Sequence, residues 1–181
     1  DHGNVGLIAL VGDMVYKDEL QDVLKQMHEK QMYKELVFYL EACDSATMME
    51  GFPDDLNIYV VTSTDAAVSG WACFCPPEDV VMGKHIGACI SEEFGYNYMK
   101  DMDETAGSHT FQEQFGVIYE GMAKSKPKQW ADFRFLNETV AHFFGDGKIA
   151  VKPSQAVRDP SVFEDVYDAK LNWLQYEVNR N

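Results

Sequence analysis

The residues Val37 to Ser45, which read VFYLEACDS, decide the fold of this chain. The first four are apolar or aromatic, which predicts a short buried strand. Cys43 follows the strand closely, and Asp44 and Ser45 are typical turn residues. The pattern therefore predicts a thiol at the end of a sheet strand, the edge where open α/β sheets bind their ligands.

The segments around this stretch predict the rest of an α/β sheet. Gly6 to Val11 is a short apolar run bounded by a glycine on each side, which predicts a strand or hairpin arm. Lys17 to Lys30 carries apolar side chains on one face, which predicts an amphipathic helix. Leu36 to Leu40 and Asn57 to Thr62 are rich in apolar residues, as parallel strands buried on both faces are. Strand, helix and strand in this order favour right-handed crossovers within one sheet.

Weaker signals predict the remaining elements. A short strand is predicted at Trp71 to Phe74, and helical spacing predicts helices at Phe94 to Met102 and Thr110 to Lys124. Turn residues indicate a strand followed by a turn over Thr139 to Val151. A capping box at Ser161 to Glu164 predicts the start of a last helix.

Length and charge restrict the class of protein. The chain has 181 residues, enough for one domain with a sizeable core, and we assign residues 1–181 to that domain. The formal net charge of −15 argues against nucleic acid and against anionic membrane surfaces as partners. No apolar run reaches the roughly 20 residues that a membrane span needs. The sequence starts without Met and inside a motif, so we expect a processed chain or a fragment.

The four cysteines do not have the spacing of a zinc site. A single residue separates Cys73 from Cys75, which does not fit a zinc knuckle, so we expect no metal and no cofactor. We also expect no disulfide framework, with Cys73, Cys75 and Cys89 as small apolar residues. Asn137 begins an Asn-Glu-Thr glycosylation sequon, which is typical of a protein on the secretory route.

His2 is the candidate partner of the Cys43 thiol. A cysteine is nucleophilic as its thiolate, and a nearby imidazole can take the thiol proton and later protonate the leaving amine. Both residues are predicted at neighbouring strand ends, although they are far apart in sequence. Gly3 allows close backbone approach, and its amide together with that of Cys43 is placed to stabilise an oxyanion.

Several segments in a fixed order resemble the legumain family of caspase-like cysteine peptidases, the asparaginyl endopeptidases. These segments are Asp1 to Gly3, Met32 to Met49, Phe52 to Tyr59, Ser69 to Cys73, Cys89 to Asp101 and Ala156 to Pro160. The resemblance implies a caspase-like three-layer α/β sandwich with a mostly parallel sheet. It also implies that the first strands of the sheet and the C-terminal prodomain lie outside this chain.

The resemblance assigns catalytic roles position by position. His2 becomes the general base and acid, Cys43 the nucleophile, and Gly3 the donor of an oxyanion-hole amide, while Asp1 matches the aspartate beside the catalytic histidine. No metal takes part.

The resemblance also assigns a specificity pocket that binds an asparagine side chain. Glu41 matches an acidic residue of that pocket, Glu92 replaces its aspartate, and Ser69 and Gly70 replace its serine pair, with Trp71 beside them. A carboxylate accepts from the amide NH2, so the residue types suit this ligand. An alternative alignment of the long loop from residue 76 to residue 88 puts Lys84 in the pocket instead.

The activity implied is cleavage after Asn, and after Asp at lower pH, through a thioester that also allows peptide ligation. The implied partners are peptide and protein substrates, cystatin-type inhibitors and the protein's own prodomain, in a lysosomal, vacuolar or secreted location. Two alternatives stay open: a transamidase that attaches GPI anchors, and a non-catalytic homologue that binds peptides or inhibitors.

Overall fold

An antiparallel meander of three short strands comes first in the computed structural model, which describes residues 2–144 and 159–168. Its strands are β1 (His2–Asn4), β2 (Leu7–Leu10) and β3 (Asp13–Tyr16). Gly6 and Gly12, which form the two turns, have positive φ angles that glycine adopts without strain. The predicted hairpin arm at Gly6 to Val11 is confirmed as β2.

Helix α1 (Lys17–Glu29) follows and packs through one face, as its periodicity predicts. Leu24 and Gln21 are buried, and Gln21 donates from Nε2 to the Met48 carbonyl oxygen at 2.9 Å. Glu19 accepts from the Tyr16 amide at 3.1 Å, which occupies a free donor at the helix N-terminus.

The central sheet positions Cys43. Strands β4 (Leu36–Leu40) and β5 (Ile58–Thr62) pair in parallel, and the later strand β10 (Lys128–Ala131) pairs antiparallel with β5. Every residue of β5 is buried. Both predicted strands are confirmed. Among the described residues, β4 and β5 form the one parallel pair, so a mostly parallel sheet is not seen there.

A second sheet lies beside the first and includes a strand that the sequence did not predict. Strand β6 (Trp71–Cys73) pairs antiparallel with β9 (Ser91–Glu92) on one side and with β11 (Phe163–Asp165) on the other. The loop between β6 and β9 contains a small hairpin of β7 (Val80–Val81) and β8 (Lys84–His85).

A disulfide joins Cys75 to Cys89 and closes this loop. The expectation that Cys75 and Cys89 are ordinary apolar residues is therefore wrong. The strand pairing of β6 with β9 brings the two ends of the loop together, and the sequence spacing alone did not reveal this approach. Cys43 and Cys73 are free and buried.

The two predicted helices are confirmed as α2 (Glu93–Thr105) and α3 (Phe111–Gly121), and both pack against the central sheet. They enclose an aromatic core that is built on β5. Its buried members are Tyr59, Val61, Phe94, Phe111, Ile118, Met122, Phe135 and Val140.

Two sequence predictions near the end of the described chain are wrong. Val140–Phe143 forms a turn of 3-10 helix rather than a strand, and the turn predicted at residues 145–147 lies outside the described residues. The capping box predicted at Ser161 is not formed, because the Ser161 amide and hydroxyl both donate to Glu78. Phe163 instead packs beside Cys73, Phe74 and Tyr96, and the chain there is extended.

Candidate active site

A cavity of about 140 Å³ lies where the meander, β4 and β6 meet. The residues that line it are His2, Glu41, Ala42, Cys43, Gly70, Glu92 and Val166. Five of these seven were predicted as site residues from the sequence.

Cys43, the predicted nucleophile, lies on a sharp turn shortly after β4. Asp44 adopts a left-handed conformation with φ of +53°, and its amide donates to the Val68 carbonyl oxygen at 3.0 Å. The chain then enters a 3-10 turn at Ser45–Met48, all of whose residues are buried. Cys43 is only 1% exposed, and the small exposed part of the residue lines the cavity.

Three buried hydroxyl groups fix the backbone of this turn. Ser63 accepts from the Ala42 amide at 3.1 Å and donates to the Ala42 carbonyl oxygen at 3.2 Å. Thr64 Oγ1 accepts from the Ser45 amide at 3.0 Å, and the Thr64 amide donates to Ser45 Oγ at 3.1 Å. The end of β5 thus holds the residues on both sides of Cys43.

The Cys43 thiol is protonated more readily than an exposed cysteine. Burial raises its pKa most, the nearby carboxylates of Asp165 and Asp44 raise it further, and the amides of Gly70 and Gly3 act in the opposite direction. The Gly70 amide donates to Sγ at 3.1 Å. Because a buried thiol does not ionise unaided, a base must accept its proton, and His2 is the imidazole that lines the same cavity.

Glycine is required at position 3 because the backbone of β1 packs against the turn that contains Cys43. A Cβ on Gly3 would overlap the carbonyl oxygen of Cys43 and would lie 2.9 Å from Ala42 Cβ. This close approach also explains the hydrogen bond from the Gly3 amide that lowers the pKa of Cys43. The oxyanion-hole role of the Gly3 and Cys43 amides stays a prediction.

Two carboxyl groups face each other in the wall of the cavity. Glu92 caps the N-terminus of α2, where its Oε2 accepts from the amides of Phe94 at 2.7 Å and Gly95 at 3.2 Å. Burial raises the pKa of Glu92 most, and the charge and hydrogen bond of Glu41 raise it further. The pair therefore retains a shared proton above the usual carboxyl range. Glu92 Oε1 is buried and accepts no hydrogen bond from an N–H or hydroxyl donor within the described part of the chain.

The other predicted pocket residues lie outside the cavity lining. Ser69 is half-buried, and Trp71 packs under the Lys124 ammonium, 5.3 Å from the ring centre. Lys84, the residue of the alternative alignment, is exposed in β8 and does not line the cavity. Asp1 lies outside the described residues, and Asn137 of the sequon is exposed.

The sequence analysis missed the contribution of the β11 segment. Val166 lines the cavity, and the Tyr167 hydroxyl lies 2.8 Å from the Gly3 carbonyl oxygen and 2.9 Å from Asp44 Oδ2. Both residues fall in the segment that was predicted as the last helix, so the sequence held no signal for their place at the cavity. Burial and the Asp44 carboxylate raise the pKa of Tyr167, which keeps its hydroxyl protonated.

One group of side chains resembles a metal site in its spacing. Cys75, Cys89 and Glu164 place their ligand atoms within 4.8 Å of one another. The two sulfur atoms are joined in the disulfide, so neither is a thiolate that could bind zinc.

A buried cysteine and a histidine that line one acidic cavity beside a sheet are the groups of a cysteine peptidase. The sequence model of the Peptidase C13 family matches residues 1–146, and the chain belongs to this family of peptidases. Within the described residues, no helix has the length and apolar character to cross a membrane.

Curated relatives agree with this family. The chain is 33% identical over 143 residues to the vacuolar-processing enzyme delta-isozyme of Arabidopsis thaliana, an alignment of 77% of this chain and 31% of the relative. It is 36% identical over 121 residues to the vacuolar-processing enzyme of Vicia sativa, covering 65% of this chain and 24% of that protein. Legumain of Mus musculus is 29% identical over 146 residues, an alignment that covers 80% of this chain and 32% of that protein. The chain therefore spans no more than a third of the length of these relatives.

Proposed function

We propose that this chain carries the catalytic centre of a cysteine endopeptidase that cleaves after Asn, and after Asp at lower pH. The observation that supports the proposal is the single cavity that contains His2, Cys43, Glu41 and Glu92. These are the positions that the resemblance to legumains assigns to the nucleophile, its base and the specificity pocket. The proposal includes the caspase-like arrangement of layers that this family implies.

The chemical sequence starts with proton transfer from Cys43 to His2. The thiolate attacks the carbonyl carbon of the scissile peptide bond, and the amides of Gly3 and Cys43 donate to the resulting oxyanion. Collapse of this intermediate forms a thioester, while the imidazolium of His2 protonates the departing amine. Water then hydrolyses the thioester. A peptide amine in place of water gives ligation, which we propose as a secondary activity.

The pair of carboxyl groups on Glu41 and Glu92 gives a reason for the proposed preference for an asparagine side chain. With one proton between them, Glu41 and Glu92 present a neutral carboxyl group that donates and a carboxylate that accepts. An asparagine amide offers the matching oxygen and NH2 group. Aspartate matches only when it is protonated, which places its cleavage at lower pH. Ser69 and Trp71 are proposed to contact the substrate chain beyond this side chain.

Partners and location follow from the same class of enzyme. We propose peptide and protein substrates, inhibition by cystatin-type proteins and by the protein's own prodomain, and a vacuolar or lysosomal compartment or secretion. The names of the vacuolar-processing enzymes support the compartment. The Cys75–Cys89 disulfide supports it independently, because disulfides persist in oxidising compartments.

The test is hydrolysis of a short fluorogenic peptide with Asn before the cleaved bond, between acidic and neutral pH, by the full protein. We expect cleavage that Cys43→Ala abolishes and that Cys73→Ala retains, since Cys73 is also free and buried but does not line the cavity. An Asp peptide should be cleaved only towards the acidic end. If the folded protein cleaves neither peptide, the peptidase proposal is wrong, and a GPI transamidase or a binding homologue takes its place.

A further inference from the structure

Lys124, an exposed residue of the loop between α3 and β10, places a cation beside the cavity. Its ammonium lies 5.3 Å from the ring centre of Trp71 and 5.5 Å from that of Phe163. Trp71 is the first residue of β6 and directly follows Gly70, which lines the cavity. Contact with two aromatic faces attracts the ammonium to this place, just beyond the cavity wall.

The ammonium of Lys124 has no anionic partner in the part of the chain that the structure describes. Two other lysines of the same loop are occupied there: Lys126 Nζ donates to carbonyl oxygens at the end of α3, and Lys128 Nζ pairs with Asp65 at 3.1 Å. Lys124 makes only the two contacts with aromatic rings. Its charge is therefore available to a carboxylate that comes from outside.

Glu93 fixes the backbone of Lys124 relative to the predicted specificity pocket. The Glu93 side chain is buried, and its carboxylate accepts from the amides of Ala123, Lys124 and Ser125. Glu93 directly follows Glu92, which lines the cavity. Two consecutive residues at the start of α2 thus join the wall of the cavity to the loop. The cation is consequently held at a defined place relative to the pocket.

The proposed chemistry decides which part of a substrate passes this cation. His2 protonates the departing amine, so the C-terminal part of the substrate lies towards β1. A Cβ on Gly3 of β1 would overlap the Cys43 carbonyl oxygen, whereas a Cβ on Gly70 would lie 3.8 Å from the Cys43 nitrogen. The two glycines therefore approach Cys43 from different sides. The N-terminal part of the substrate leaves the cavity on the side of Gly70, where β6 starts.

We propose that Lys124 is a specificity-determining residue that binds an Asp or Glu side chain shortly before the cleaved Asn. An extended peptide advances about 3.3 Å per residue, and Trp71 directly follows Gly70, so the acidic side chain falls on one of the two residues that precede the Asn. This inference deepens the proposed peptidase function and takes the direction of the substrate from it. It narrows the substrate class to peptides that carry an acidic residue beside the Asn.

Paired fluorogenic peptides test the inference with the full protein. One peptide of each pair has Glu, and the other has the isosteric Gln, at the first or the second position before the Asn. At about pH 6 and about 0.15 M salt the glutamate is ionised and distant charges are screened. We expect kcat/KM to be about two- to fivefold higher for the Glu peptide at one of these positions.

Four variants at two lysines assign the preference to one ammonium. The Glu/Gln ratio of kcat/KM should fall to about one in Lys124→Gln, fall below one in Lys124→Glu and stay as in the wild type in Lys124→Arg. Lys128→Gln is the matched control, because it removes the same charge from the same loop but its ammonium already pairs with Asp65. It should keep the wild-type ratio.

A ratio of two peptides on one protein is insensitive to partial unfolding of a variant. A wild-type ratio of one at both positions would overturn the proposal. The same conclusion would follow if Lys124→Gln kept the wild-type ratio, and Lys124 would then only hold Trp71 and Phe163 in place.

A binding measurement separates this proposal from the proposed function. Fluorescence anisotropy of the same peptides, labelled with fluorescein, reports their affinity for the full-length Cys43→Ala protein without any cleavage. If no Asn peptide is cleaved but the Glu peptide binds more tightly and Lys124→Gln removes the difference, the role of Lys124 stands and the peptidase proposal is wrong. If Asn peptides are cleaved with equal ratios in the wild type and in Lys124→Gln, the opposite holds. If the protein neither cleaves nor binds the peptides, both proposals are wrong.

Discussion

At the scale of single residues, the carboxyl pair of the cavity makes stability depend on pH. Burial and Glu41 raise the pKa of Glu92 in the folded protein above the value of an unfolded chain. A raised folded pKa contributes stability that is fully present below the unfolded pKa and is lost as pH rises through the folded pKa. This loss begins above the usual glutamate range of about pH 4.

The substitution Glu92→Gln should remove this pH dependence. Glutamine keeps an oxygen that can accept from the amides of Phe94 and Gly95, but it carries no titrating proton. We expect the variant to gain stability relative to the wild type as pH rises from about 5 to 8. Urea unfolding of both proteins at several pH values measures the difference, and a constant difference would contradict the shared proton.

Gly3 and Gly116 are a matched pair for testing the packing of β1. Alanine at position 3 would overlap the Cys43 carbonyl oxygen, so we expect a loss of about 1–3 kcal/mol and altered reactivity of the thiol. Alanine at position 116 in α3 meets no atom within 4 Å and should stabilise the helix by about 0.5–1 kcal/mol. Thermal unfolding measures both effects, and equal effects of the two changes would exclude the close approach.

Position 70 has room for the serine hydroxyl that the family carries there. A Cβ on Gly70 would lie 3.6 Å from Val166 Cγ2 and 3.7 Å from Glu92 Oε1, which is ordinary contact. The hydroxyl of Gly70→Ser could donate to Glu92 Oε1, which is buried and accepts from no N–H or hydroxyl donor among the described residues. We expect about 1 kcal/mol of added stability in urea unfolding, and a destabilised variant would count against this geometry.

At the scale of elements, hydroxyl groups at the end of β5 position the turn that contains Cys43. Ser63→Ala would leave the buried Ala42 amide without its acceptor, at a cost of about 1–3 kcal/mol. We also expect a lower kcat with little change in KM, because the Cys43 turn loses its fixed position. Ser125→Ala is the control, because its buried hydroxyl forms no hydrogen bond within the described residues and does not line the cavity. An unchanged kcat in Ser63→Ala would limit the cluster to a stabilising role.

The predictable elements are those whose apolar pattern extends over a whole strand or helix. Helix α1 and strands β4 and β5 were predicted correctly because the spacing of their apolar residues shows whether one face or both faces are buried. Strand β11 was not predicted, because the extended conformation of its three residues depends on pairing with β6 and on contact with Lys124. The disulfide was missed for the same reason, since it depends on the pairing of β6 with β9.

At the scale of the whole molecule, the site combines residues from distant parts of the chain. Motifs around His2 and Cys43 predicted a catalytic pair, and the resemblance supplied Glu41, Gly70 and Glu92; all five residues line one cavity. Val166 and Tyr167 reach the cavity from more than a hundred residues beyond Cys43, through a segment with a helical pattern in its sequence. Tertiary pairing overrides that local pattern, so the sequence alone could not reveal their contribution.

The sequon at Asn137 should be glycosylated if the protein follows the secretory route. Asn137 and Thr139 are both exposed, and they do not line the cavity that contains Cys43. Protein from a eukaryotic secretory host should lose mass on treatment with peptide N-glycosidase F, whereas Asn137→Gln should not. Absence of any mass change in the secreted wild type would contradict exposure to the glycosylation machinery.

The state of the four sulfur atoms has one further consequence. Cys75 and Cys89 form a disulfide and have no free thiol. Burial together with the charges of Glu92 and Glu93 raises the pKa of Cys73 to about 12, so this thiol scarcely ionises. Cys43 alone has an imidazole in its cavity. A slow thiol titration of the folded protein should therefore reach a plateau at about one equivalent per chain. That plateau would give the concentration of competent active sites in a preparation without any substrate.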